Sequence, residues 1–321
     1  MTEALIALLP SVVLEGLLLG CVYAMIALGY TMVYGVLGLI NFAHAEVFMV
    51  GAVTGVEVYR YLGPHVENPY ALAMIAVATA SAVSGGLAVA IERLAYRPLR
   101  KRGSSNRLVP LITAIGVSFF LQDLVRLIEG LWHGEFFMNY PADSRLEALH
   151  ELPLGMSIQN KSILVIVVTM AMLLGLDHLV RRTRLGRAIR AVAQDAQTAS
   201  LMGIDPDRII AKTFLIGGAL GGAAGVLFGL LYSQINPFIG FVPGVKAFTA
   251  AVLGGIGNIY GAMLGGLVLG VLETMGATYL LFITQGAMGN EYKDVFTFLI
   301  LVLLLLFRPQ GLLGKVQGEK V

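Results

Sequence analysis

The sequence predicts an all-α polytopic membrane protein, with about eight transmembrane helices plus one short broken or re-entrant helix. Three observations carry this. Of 321 residues, 57% are hydrophobic and 13% charged, where a soluble domain carries about 25% charged residues; mean hydropathy is +0.80. Apolar runs of helix-spanning length recur along most of the chain. The 39 glycines suit close helix–helix packing in lipid, where small residues let backbones approach.

Taken in order, the apolar spans fall near 9–29, 35–58, 69–91, 108–128, 162–180, 213–232, 245–258, 261–284 and 290–308. A spanning helix needs roughly 20 residues. The run 245–258 is shorter and is interrupted by Gly254, Gly255 and Gly257, so a half-membrane helix is expected there. The strict apolar core of the last span is short too, which puts its start near Asn290.

Basic residues set the orientation. Arg93, Arg97, Arg100, Lys101, Arg102 and Arg107 crowd one connection; Arg181, Arg182, Arg184, Arg187, Arg190, Arg208 and Lys212 crowd another; Arg308, Lys315 and Lys320 lie in the tail. By the positive-inside rule these regions are cytoplasmic. The segment 129–160 holds five acidic residues and only Arg145, so it is read as external. The N-terminus is then external and the C-terminus cytoplasmic, provided that 245–258 crosses in some form. Residues 1–10 contain no Lys or Arg, so a cleavable signal is not expected.

The polar residues inside apolar runs mark candidate sites, because such groups are costly at membrane depth unless they face protein or water. Asn41, His44 and Glu46 stand within six residues, flanked by Gly35, Gly38 and Gly51. They are candidates for the translocation path; the alternative is that they cap a broken helix and bond neighbouring helices. Glu15 and Glu273 also sit inside spans, as proton-relay groups or as structurally paired carboxylates. Lys246 is expected to snorkel to the interface.

Other chemistry is excluded on spacing. Cys21 is the single cysteine, which leaves no disulfide framework and no Cys metal site. His44 has no second His or Cys at ligand spacing. The glycine clusters at 217–225 and 254–266 lie in apolar helix, with no strand before them, so they are packing surfaces and not nucleotide loops. No GxxxxGK[ST], G-x-S-x-G or H-E-x-x-H occurs, and no catalytic residue is assigned.

The segment TRLGRAIRAVAQDAQTASLMGIDPDRIIAK (183–212) is the longest stretch on the basic side. Leu185, Ile189, Val192, Ala196, Ala199 and Met202 follow three- and four-residue steps, one face of a helix. Gly203 is a stop signal, and Asp205-Pro206 opens the next helix. A helix on the lipid surface and a helix presented to a soluble partner both fit this pattern. The alanines, and the lack of Trp or Phe on the apolar face, favour the partner.

Several stretches resemble one family. GLLLGCVYAMIALGYTMVYGVLGLINFAHAEVFMVGA (16–52) resembles the N-terminal signature of the LivH-type permease of branched-chain amino acid ABC importers. Residues 183–230, GVKAFTAAVLGGIGNIYGAMLGGLVLGVLE (244–273) and LLFRPQGLLG (305–314) are similar to the same family. Together the pieces cover over half the chain, in family order. The resemblance implies a type II-like importer permease, a single transmembrane domain over 1–321 with 183–212 as its coupling loop, in a bacterial inner membrane.

It also implies partners: a second, LivM-type permease, two cytoplasmic ATPases that hold ATP and Mg, and a periplasmic binding protein that delivers the amino acid. Within the loop, Leu185, Gly186, Ala188, Val192, Asp195, Ala196, Ala199 and Gly203 are the positions matched to ATPase coupling, although their spacing departs from the Glu-Ala-Ala-x-x-x-Gly pattern of the wider importer class. Relatives that carry amides or urea keep those cargoes open. An ion-coupled secondary carrier using Glu15, Glu46 and Glu273 is the competing class.

Overall fold

The computed structural model describes residues 2–101, 108–153, 156–286, 292–308 and 310–314. Arg102, Arg107, Lys315, Lys320 and the expected helix start near 290 lie outside these residues.

Nine helices correspond to the nine apolar segments. They are α1 (Thr2–Leu37), α2 (His44–Leu62), α3 (Pro69–Ile91), α5 (Leu108–Trp132), α7 (Asn160–Arg182), α10 (Pro206–Tyr232), α11 (Phe241–Gly254), α12 (Ile259–Ile283) and α13 (Lys293–Phe307). Between them lie the short helices α4 (Arg97–Lys101), α6 (Ser144–Glu147), α8 (Arg184–Gln194) and α9 (Ala196–Leu201), and four strands, β1 (Met138–Asn139), β2 (Leu149–Glu151), β3 (Ser157–Gln159) and β4 (Gln234–Ile235). Among the described residues, six helices are long and apolar enough to cross a membrane: α1, α3 with its extension, α5, α7, α10 and α12. Three are shorter or more polar. The 19-residue α2 carries Glu46, Glu57 and Arg60, and it is tolerated because most of it is buried among other helices. The 14 residues of α11 extend only about 21 Å at 1.5 Å per residue, short of the roughly 30 Å hydrocarbon core.

Helix ends depart from the sequence expectation in three places, each for a local reason. α1 continues through residues 30–34 and stops at Gly38, whose φ of +63° ends the helix. α3 does not end at 91. It passes through a π-turn at Glu92–Tyr96, where the Arg97 N–H bonds Glu92 O five residues back, and continues into α4. The wider turn accommodates Pro98, which has no N–H to donate. Arg93, Arg97 and Arg100 therefore stand on a helical extension and not in a loop. α11 begins at Phe241, with Pro243 in its first turn, and the glycines after 254 form the turn beyond it, with Gly255 at φ +101° and Gly257 at φ +90°.

α10 is the hub of the packing. Its most extensive neighbours are α3, α2 and α1, while α12 lies antiparallel along α1. Two glycine rows on α10 make this possible. Gly217 abuts Gly29, and Gly225 abuts Phe48 and Ala52; Gly218 and Gly222 abut Ala80, Ser84 and Ala88 of α3. A Cβ at Gly222 would collide with both Ala80 and Ser84, so no larger residue fits between α10 and α3 without parting them. The spacing Gly217-x-x-x-Gly221-x-x-x-Gly225 is thus a packing face.

Two opposite faces follow from the helix directions. The hairpin face carries the pairs β1–β4, with Met138 opposite Ile235, and β2–β3, with His150 opposite Ile158. From it Tyr140 reaches inward to donate to Ala52 O at 2.7 Å. The arginine face carries α4, α8, α9 and the end of α13. There Arg97 and Arg100 pair with Asp207 at 3.0 and 2.6 Å, and Arg100 also pairs with buried Glu92 at 2.9 Å. The last described residues close back on α11: Leu312 and Leu313 donate to Leu253 O and Gly254 O at 2.7 and 3.1 Å.

Candidate functional site

α10 ends at the hairpin face, the chain returns inward over residues 233–240 through the short strand β4 and a turn, and α11 then runs to the arginine face, so a non-helical connection and a half-helix together make one crossing. Broken helices at depth occur where they line a cavity or pack in protein, and the polar groups gather around this one.

Asn41, His44 and Glu46 are all buried, and they do not converge on one point. Asn41 Oδ1 accepts from Tyr96 Oη at 2.7 Å. It does not cap α2, whose N-cap, Ala43, has no side-chain bond. His44 lies edge-on to Tyr30, with ring centroids 4.8 Å apart, in a niche that Gly29 leaves open. Glu46 Oε1 accepts from Ser118 Oγ at 2.9 Å and Gln122 Nε2 at 2.7 Å, which ties α2 to α5. His44 Nε2 and Glu46 Oε2 have no hydrogen-bond partner among the described residues. Glu46 borders a cavity of about 60 Å³ walled by Tyr30, Phe42, Ile115, Phe119 and Phe241.

A second cluster stands where α11, α12 and α13 meet. Glu273 Oε2 accepts from Tyr23 Oη at 2.8 Å, and its Oε1 lies 2.7 Å from Lys246 Nζ. Lys246 Nζ is also 2.6 Å from Asp294 Oδ1, and Lys293 Nζ is 3.5 Å from Glu273 Oε1. Lys246 is 3% exposed, so it does not snorkel: a partner 27 residues away in sequence holds it inside. Two cations and two carboxylates leave the cluster formally neutral.

Above this cluster a cavity of about 510 Å³ opens toward the hairpin face. Its walls include Glu15, Leu18, Ile158, Lys161, Tyr232, Glu273 and Lys293. Glu15 and Glu273, far apart in sequence, border the same space.

On the arginine face the predicted single helix is two. Asp195 breaks it, taking an extended backbone and accepting from Gln197 N and Thr198 N at 2.9 and 3.1 Å as the N-cap of α9. Gly186, Val192 and Ala199 are buried against the bundle, as is Ile189; Leu185, Ala188 and Ala196 are half-buried. Asp195 and Gly203 are exposed, and so are Arg187, Gln194, Gln197 and Thr198. Leu201 and Met202 are 86% and 78% exposed. Gly186 packs on the Leu179 and Val180 carbonyls at the end of α7, and Arg190 donates to Val180 O.

One cluster able to ligate a metal was missed by spacing, because it joins two helices. Donor atoms of Glu57, Glu129 and His133 lie within 4.8 Å of one another. His133 Nδ1 is 3.0 Å from Glu129 Oε2, and Arg60 Nη1 pairs with Glu57 Oε1 at 3.0 Å. Arg60 already pairs with Glu57 and the His133 ring contacts Glu129, and the group reads as a polar cluster tying α2 to α5.

Residues 12–305 match the family described as branched-chain amino acid transport system / permease component. The high-affinity branched-chain amino acid transport system permease protein BraD of Pseudomonas aeruginosa is 47% identical over 316 residues, 96% of each chain. The LivH permease protein of Escherichia coli K12 is 43% identical over the same share. The LivM permease protein of Salmonella typhimurium is 26% identical over 321 residues, covering 93% of this chain and 69% of that protein. No solved structure matches. With nine apolar helices among the described residues, one of them a half-helix, and this match along nearly its whole length, the chain is a multi-pass membrane protein that belongs to the branched-chain amino acid transport permease family.

Proposed function

We propose that this chain is one permease half of an ATP-driven importer of branched-chain amino acids. Its partners are a second permease of the LivM type, two cytoplasmic ATPases that hold ATP and Mg, and a periplasmic protein that delivers substrate. It sits in the bacterial inner membrane as a single transmembrane domain, with the hairpin face and N-terminus outside and the arginine face and C-terminus in the cytoplasm, as the distribution of basic residues supports.

The observation that carries this reading is the α8–α9 pair. Its inner side is packed on the bundle, and its outer side offers Leu201 and Met202 beside Asp195, Gln197 and Gly203. Exposed apolar residues rimmed by polar ones mark protein contacts. Leu185, Gly186, Ala188, Val192, Ala196 and Ala199 serve coupling from within, by transmitting a push on α9 to α7 and α10. Asn41, His44 and Glu46 line the passage once α2 and α5 part; in the conformation seen they are closed in.

The test is reconstitution of the chain with its genomic neighbours in vesicles. Leucine uptake that needs ATP and a nucleotide-hydrolysing subunit supports the proposal. Accumulation on a proton or sodium gradient alone, with no such subunit, overturns it in favour of a secondary carrier.

A further inference from the structure

The cavity on the hairpin face holds charges of both signs that no described residue pairs with. Glu15 and Lys161 border it, and neither enters an ion pair among the described residues. Every other charge at its floor is paired: Glu273 with Lys246, Lys246 with Asp294, and Lys293 with Glu273. Leu14, Leu18, Leu231 and Ala277 give the wall an apolar stretch beside the polar Ser157, Gln159 and Thr278. The volume of about 510 Å³ falls within the roughly 300–1,000 Å³ of small-molecule pockets.

From this arrangement we infer that the cavity is a binding site for a free zwitterionic α-amino acid, with Glu15 holding the α-ammonium, Lys161 the α-carboxylate and the leucine-lined wall the aliphatic side chain. One unpaired carboxylate and one unpaired ammonium match the two charges of a zwitterion. A ligand of net charge would leave one of them unanswered and so gain only one of the two charge-assisted contacts. The neutral floor repels neither end of such a ligand. The inference rests on the importer reading and deepens it: the cavity is where the permease receives cargo before the passage opens.

The experiment reads cavity occupancy without transport. In a Cys21→Ala background, Thr278→Cys and Ala277→Cys each place a thiol in the cavity wall. The full chain, assembled with its partner subunits in proteoliposomes lacking ATP, is labelled with a membrane-impermeant cationic thiol reagent. L-leucine is expected to slow labelling. Isoamylamine and isocaproate, which each keep one charge, are expected to protect far more weakly. Glu15→Gln and Lys161→Gln are each expected to raise the leucine concentration for half-protection about tenfold, the loss of a charge-assisted contact, while Lys161→Arg retains protection. Unchanged labelling in the absence of leucine shows that the variants keep the fold.

The inference is overturned if leucine never protects, if single-charge analogues protect equally well, if neither Gln variant shifts the half-protection point, or if neither thiol labels at all. ATP-driven uptake, measured separately in the same vesicles, distinguishes the two proposals. Uptake without protection removes this site alone; protection without ATP-driven uptake removes the importer reading and leaves the site standing.

Discussion

Lys246 Nζ and Glu273 Oε1 lie 2.7 Å apart, with both side chains under 5% exposed. The pair fastens the half-helix α11 to α12, and Asp294 extends it to α13. Removing one partner of a buried pair leaves the other uncompensated, at a cost of about 3–5 kcal/mol, whereas replacing both by apolar groups is often neutral. Lys246→Met is therefore expected to lower the thermal midpoint of the detergent-solubilised protein markedly, and Lys246→Met with Glu273→Leu to recover most of the loss. Equal midpoints for the single and double variants would show that the pair does not hold α11.

Gly222 separates α10 from both α2 and α3, with Gly51 on one side and Ala80 and Ser84 on the other. Gly222→Val has little room to relax, because its Cβ would meet the Ala80 carbonyl and the Ser84 Cβ of α3. Overpacking costs about 1–3 kcal/mol, occasionally more. The expected outcome is a several-fold fall in membrane-inserted protein by quantitative blotting. Gly116→Val, with nothing within 4 Å of its added Cβ, is the control expected to leave the level unchanged.

Glu46 ties α2 to α5 through one oxygen, and Gln keeps an oxygen acceptor for Ser118 and Gln122. Glu46→Gln is expected to preserve both membrane level and uptake. Glu46→Ala leaves the Ser118 and Gln122 donors unsatisfied, at about 1–3 kcal/mol for a buried group, and is expected to lower both. A loss of ATP-driven uptake in Glu46→Gln at full membrane level would assign the carboxylate a role in translocation beyond holding α5.

Much of this architecture could be read from residue order, and the particular failures have physical causes. Apolar length alone located all nine helices, because membrane depth imposes that length whatever the tertiary contacts. The shortness of α11 was legible too. The end of α1 was not placed at Gly38, although a glycine after Tyr34 was the available signal; the apolar pattern simply continues past residue 29. The apolar stepping runs Asp195 into a single helix, although Asp is among the preferred N-cap residues. The pairings that define the sites were out of reach. Lys246 meets Glu273 across 27 residues, Glu46 meets Gln122 across 76, and Glu15 shares a cavity with Lys161, and none of these is a periodicity. Apolar stepping also identified a face of α8 without telling which way it turned: Ile189, Val192 and Ala199 look into the bundle, while Met202, in the same series, looks out.

That distinction decides how the docking surface is to be probed. Ala199 is 4% exposed, so a bulky residue there would disturb α9 against α8 and α10 and stop transport for reasons unrelated to a partner. Leu201 and Met202 touch little of this chain, and a charge there should leave the fold intact while disrupting an apolar contact with an ATPase. Leu201→Asp with Met202→Asp is expected to leave the membrane level and thermal midpoint unchanged, to reduce co-purification of the ATPase by at least about tenfold, corresponding to about 1.4 kcal/mol or more, and to abolish ATP-driven uptake. Pull-down from detergent extract and vesicle uptake measure the two effects separately. Retained co-purification would move the dock to the polar rim of Arg187, Asp195 and Gln197. Retained uptake would mean that α9 points to lipid or water in the assembled transporter, and that the motor grips another part of the arginine face.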